Sequence, residues 1–275
     1  MRIYHYLFLS FLCLLSASWA QDTARPVAAD KAPLDFDQTE ATANWLVASD
    51  RLIWAATEKV LAKRGSVEML NPEAFCLHAA DGWHVAFGIL SSDGESYALS
   101  RHYRSPRAGD PLELLTGDRV SAHDAAIARA LRATYQTVIT PARETYAVDL
   151  RAFARPVADG IEIWVIGDRQ ANGQVAYGLS YRLVYSADGR RETSRESWGQ
   201  EPQLLTLDPT TELRLGGRDQ TTPTVADVFL VLRYGADLAS TTIESHDFIS
   251  QRLMVDGRPL WLHVRRPARA QPTAP

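Results

Sequence analysis

Cys76, His78 and His102 are the residues of this 275-residue chain whose types could bind a metal or build a thiol nucleophile. Zinc accepts thiolate and imidazole ligands, and an imidazole within reach of a thiol can take its proton. Tight-turn dipeptides suggest how they meet. A hairpin closed at Asp81-Gly82 pairs His78 with Val85, and one closed at Asp93-Gly94 pairs Val85 with His102. On that register the two imidazoles flank Val85 on one face, with Cys76 two residues from His78. That face offers no evident carboxylate or third imidazole, and a single cysteine usually serves as a small buried hydrophobe. The expectation is therefore a buried, inert Cys76, with no metal site and no cofactor.

A second constellation is aromatic. The Asn172-Gly173 turn pairs Trp164 with Tyr181, Ile166 with Leu179 and Asp168 with Tyr177. The Asp188-Gly189 turn pairs Tyr181 with Glu196 and Leu179 with Trp198. One sheet face then carries Trp164, Tyr177, Tyr181 and Trp198 beside Asp168 and Glu196. Rings next to carboxylates suit stacking on a sugar or holding a cation, so these six residues are the candidate ligand surface. The competing expectation is a core face beneath a helix, and burial of the indoles decides between the two. Ser245-His246-Asp247 cannot relay a proton among themselves on a strand, where neighbours point to opposite faces. His84, His123 and His263 stand isolated and are expected to be structural. The polar stretch 216–223, with Asp219, is expected to connect strands.

The elements that position these groups follow from pattern. Asp37 with Glu40 marks the start of a helix to about Arg64, with Trp45, Leu46, Ser49, Leu52, Ile53, Ala56 and Val60 on one face. A second helix runs from Ser121 to about Ile139, ended by Pro141, with Arg129, Arg132 and Gln136 pointing away. Five Asp-Gly or Asn-Gly pairs between apolar runs mark antiparallel hairpins. The run 224–234 reads as a strand buried on both faces. The fold class is α+β: two main helices packed on meandering antiparallel sheet, in one domain over 37–265. Gly88 and Gly94 have the spacing of Gly167 and Gly173, which would divide the domain into similar halves, 37–120 and 121–265. Two ordinary hairpins explain so short a repeat better.

Residues 1–20 have the basic start, short apolar core and small closing residues of a secretory signal peptide, with cleavage expected after Ala20. Residues 21–36 read as a linker and 266–275 as a disordered tail. Cys13 leaves with the leader, so Cys76 is alone and no internal disulfide is expected. No later run has the length and apolarity of a transmembrane anchor. A net charge of −4 argues against a nucleic-acid partner.

The segments Phe87–Gly94, Ile163–Ile166 and Tyr185–Gly189 resemble parts of uncharacterised secreted proteins of Gram-negative bacteria. That resemblance implies an exported α+β protein and carries no activity. The chain lacks a phosphate-binding glycine loop, a His-Glu-x-x-His helix and a Gly-x-Ser-x-Gly elbow. The expected function is a periplasmic or secreted, non-catalytic module that binds an envelope ligand or protein. The alternative is an exported hydrolase using Cys76 with a nearby histidine, or carboxylates whose pairing the sequence does not show.

Overall fold

The computed structural model describes residues 35–64, 73–116, 122–199, 201–216, 220–256 and 258–266. The expected leader (1–20), most of the expected linker, the expected tail beyond 266 and Asp219 lie outside the described residues. The fold is α+β with dominantly antiparallel sheets.

The first helix, α1, spans Phe36–Arg64. Its cap is Asp35, two residues ahead of the expected Asp37: the Gln38 N–H donates to Asp35 Oδ1 at 2.8 Å. The second helical run does not stop at Pro141. It starts as α2 (Ala122–Thr134), widens into a π turn over Tyr135–Ile139, and continues as α3 (Thr140–Tyr146). The Thr140 N–H reaches back to the Tyr135 carbonyl, and this wider turn accommodates the proline ring that an unbroken α-helix would reject. The run ends at Ala147, whose φ is 54°.

The run 224–234 is a helix, not a strand: α4 spans Val225–Tyr234. Uniform apolarity fits either element. The decision lies at Thr224, whose hydroxyl receives the Asp227 N–H while the Asp227 carboxylate receives the Thr224 N–H, a capping box.

Each of the first two helical runs precedes a four-stranded antiparallel sheet. Sheet one orders β1 (Phe75–Ala79), β2 (Gly82–Leu90), β3 (Tyr97–Ser105) and β4 (Glu113–Leu114). Sheet two orders β5 (Leu150–Val157), β6 (Gly160–Gly167), β8 (Ser180–Tyr185) and β9 (Glu192–Trp198). Between β6 and β8 the short β7 (Val175–Tyr177) leaves the sheet and pairs with β10 (Gln203–Leu205). Sheet three orders β11 (Glu212–Leu215), β12 (Ser240–Glu244), β13 (Phe248–Val255) and β14 (Arg258–Arg265), with β11 and β12 parallel.

Three cores hold these layers. α2, the π turn and α3 bury Ala125, Ile127, Ala128, Leu131, Ile139 and Ala142 in a core shared with one face of sheets one and two. α1 covers the opposite side. Its first half joins α4 and Trp164 of sheet two, and its second half joins Cys76, Val85 and Phe87 of sheet one.

Arg129 and Arg132, expected to point away, instead tie α2 to the hairpins. Arg129 donates to the carbonyls of Asp188 and Gly94, one from each sheet's Asp-Gly turn. Arg132 donates to Glu73 and to the carbonyls of Ser91 and Leu90. The two turns are built alike. In each, a serine hydroxyl (Ser91 or Ser186) donates to the aspartate two residues on, at 2.6 Å.

Candidate functional site

The register inside sheet one decides which side chains meet. Near the Asp93-Gly94 turn the pairing is the expected one, with Gly88 opposite Leu99. A β-bulge between Phe87 and Gly88 then shifts it by one residue, and the Ser100 hydroxyl closes the gap by donating to the Phe87 carbonyl at 2.8 Å. Ala86 therefore faces His102, and His84 faces Arg104. On the other side of β2, Ala79 pairs directly with Gly82, so the turn residues are Ala80 and Asp81 and His78 faces Trp83.

The expected group of Cys76, His78 and His102 is accordingly split. Cys76 shares the α1-facing side with Val85, Phe87 and Tyr103, and is 2% exposed. Burial pushes its thiol well above the ordinary value, the opposite of an activated nucleophile. His78 is exposed with its ring 4.5 Å from that of Trp83. His102 lies on the other face, where its partner is His84, a residue expected to be isolated.

That partnership is the core of the candidate site. His84 Nδ1 and His102 Nε2 are 2.9 Å apart, and His84 Nε2 lies 2.9 Å from Asp81 Oδ1. Both imidazoles are buried, while the Asp81 side chain is 56% exposed at the turn. The imidazole against Asp81 holds its carboxyl below the ordinary value, with Arg104 adding a smaller effect from 3.9 Å. Hydrogen-bond chemistry fixes the proton positions. Asp81 accepts from His84 Nε2–H, so in the neutral pair His84 Nδ1 accepts from His102 Nε2–H. One added proton makes an imidazolium that spans the pair and is balanced at one end by the carboxylate.

The chain opens into a cleft of about 400 Å³. Phe75, Leu77, Ala86, Leu99 and Pro156 provide apolar walls. His123 and Asp124, from the first turn of α2, stand across from the imidazoles. Four of the chain's seven histidines line this one cleft. Among the described residues no three histidine, cysteine or carboxylate side chains form a set that could hold a metal ion.

The aromatic constellation is divided by the same kind of register change. A bulge between Val184 and Tyr185, closed by Thr193 donating to the Val184 carbonyl at 3.0 Å, shifts β9. The departure of β7 shifts β8, so Trp164 faces Arg182, and Arg182 faces Glu196. A one-residue slip reverses every side chain's face. Trp164, Glu196 and Trp198 stay together, the two indoles stacked at 5.5 Å. Tyr181 turns to the opposite face, against the α2 core. Tyr177 sits on β7 with its hydroxyl 2.6 Å from the buried Asp227 of α4. Asp168, at the end of β6, pairs with Arg151 at 2.9 Å; burial raises its pKa against that cation's pull.

Trp164 is 1% exposed beneath α1 and α4, not beneath the second helix, and offers no ring face to a ligand. The polar residues around it satisfy one another. Glu162 receives Arg155 at 2.5 Å and Arg182 at 2.6 Å, and Arg182 also reaches Glu196 at 3.0 Å. Burial alone would raise the Glu162 pKa, but the two guanidiniums hold it below the ordinary value.

Ser245-His246-Asp247 forms a turn. The Ser245 hydroxyl bonds to the Phe248 backbone, away from the His246–Asp247 pair. Compared with models of known families, with curated proteins and with solved structures, the chain matches none.

Proposed function

We propose that this protein is an exported, non-catalytic module of the cell envelope that binds a small organic anion in the histidine-lined cleft. The observation that carries this reading is the Asp81–His84–His102 chain, whose two imidazoles are buried in the wall of an otherwise largely apolar cleft while its carboxylate is exposed at the turn. Its volume lies within the range of small-molecule sites, about 300–1,000 Å³. A protonated imidazole pair gives an anionic group its partner, and the apolar walls take the ligand's body. The described lining residues include no hydroxyl or thiol, which favours binding over acyl transfer. Export rests on the composition of residues 1–20, and a mature amino terminus at Gln21 is its direct test.

The binding experiment uses benzoate and hexanoate as probes, titrated by calorimetry and by histidine NMR. Binding of either probe is expected, with the imidazole resonances of the cleft moving as it saturates. His102→Ala should abolish it. Binding that is unchanged in a His84→Ala/His102→Ala variant, or imidazole resonances that do not move, would refute the assignment.

A further inference from the structure

Sheet three presents two kinds of surface on one outer face. Its β11 and β12 side places Glu212, Arg214, Ser240, Thr242 and Glu244 there, as a solvated antiparallel face should. Its β13 and β14 side places Ile249, Leu253 and Val255 beside Leu260, Leu262 and Val264. These six side chains are between 37% and 52% exposed. They form cross-strand neighbours, Ile249 opposite Val264 and Leu253 opposite Leu260, so the patch is continuous. On the inner face of the same hairpin His263 stacks between Phe36 and Phe248, at 4.1 and 4.4 Å, while Met254 near the tip is exposed.

We infer that this outer face of the β13–β14 hairpin packs against the same face of a second copy, making the protein a two-fold dimer. The flanking stretches of the chain are poorly suited to cover it. Residues 267–275 contain no large apolar side chain, and residues 21–34 contain only Val27 and Leu34. Half-exposed side chains of this size present about 80 Å² each, so two facing patches bury on the order of 1,000 Å², the lower bound for a specific interface. The pattern is also self-complementary. A two-fold rotation lays the Leu253/Leu260 end of one hairpin over the Ile249/Val264 end of the other. Gln251 lies between them, opposite Leu262, and is the polar residue within the patch. A carboxamide both donates and accepts, so it can pair with its own copy near the axis and set the register, as a single buried amide does in coiled coils.

Sedimentation equilibrium of the purified exported protein between about 1 and 100 µM tests this; micromolar association is what an interface near the lower size bound supports. A twofold mass is expected. Leu260→Glu/Leu262→Glu should weaken association at least about 100-fold while leaving the circular dichroism spectrum unchanged, because both side chains are half exposed. Gln251→Cys should form a disulfide-linked dimer under mild oxidation, with the buried Cys76 unreactive, whereas Thr242→Cys should not. A monomer at 100 µM, a dimer that survives the double glutamate variant, or a monomer that sediments with phosphatidylglycerol vesicles would overturn the proposal.

Discussion

The two faces of sheet one are made by alternate residues of the same three strands, yet they have opposite chemical characters. Toward α1, Cys76, Trp83, Val85, Phe87 and Tyr103 meet Leu52, Ala56 and Val60 in a closed core. Toward α2, His84, Ala86 and His102 meet a helix that covers them only in part, because α2 rests on the Gly94 and Asp188 turns and begins beside the cleft. The difference is one of cover. A helix laid along a face excludes water and makes a thiol inert. A helix propped at its edge leaves a cleft beside the imidazoles.

Val85→Asp should break the comparison most severely. It places a carboxyl with no partner in the closed face, and a loss of about 4 kcal/mol in urea unfolding is expected. The same substitution at Ala86, on the cleft face, should cost less than half as much.

Gly189→Ala acts on the support of α2. Gly189 has a φ of +72°, and a Cβ there would lie 1.9 Å from the Ala126 carbonyl oxygen of α2. A loss of about 3 kcal/mol is expected, together with weakened anion uptake. Gly94, at φ +75° in the matching turn, faces only the Arg129 side chain at 3.6 Å, so Gly94→Ala should cost about 1 kcal/mol. Equal losses would show that α2 does not rest on the Gly189 turn.

Cys76→Ala sharpens the contrast from the closed side. It removes one small buried group, and a loss of about 1 kcal/mol with unchanged probe binding is expected. Native-state thiol labelling should leave Cys76 unmodified; rapid labelling would place water on the closed face.

The smallest effect is the pH dependence of Asp81→Asn. The Asp81 carboxyl titrates below its ordinary value of 3.8 when folded, so its contribution is complete above that value and is lost as pH falls through the folded pKa. The melting temperature of Asp81→Asn should fall below that of the wild type near pH 7. The gap should begin to narrow as the pH falls below about 3.8 and close once it passes the lower, folded pKa. A gap that persists at lower pH would mean that Asp81 acts through geometry rather than charge.

Local chemistry determined much of this protein. The 3.6-residue pattern over 37–64 yields α1 to within a residue, and Asp-Gly and Asn-Gly produce turns with positive φ at Gly94, Gly173 and Gly189. The burial of Cys76 was legible in its apolar neighbours. Expectation and structure part at Ser100 and Thr193. Each inserts one residue into a strand after a correctly read turn, and no dipeptide announces a bulge that is settled by how the strand must twist against its neighbour. The Thr193 bulge set Arg182 opposite Glu196, the departure of β7 set it opposite Trp164, and the Ser100 bulge brought His84 and His102 to one face. The helix over 225–234 was also a local decision, carried by the Thr224–Asp227 capping box, which the uniform apolarity of the run masked. The Asp81–His84–His102 chain is therefore a tertiary product: its successive members stand 3 and 18 residues apart, and only the bulged pairing of β2 with β3 brings both imidazoles to the cleft.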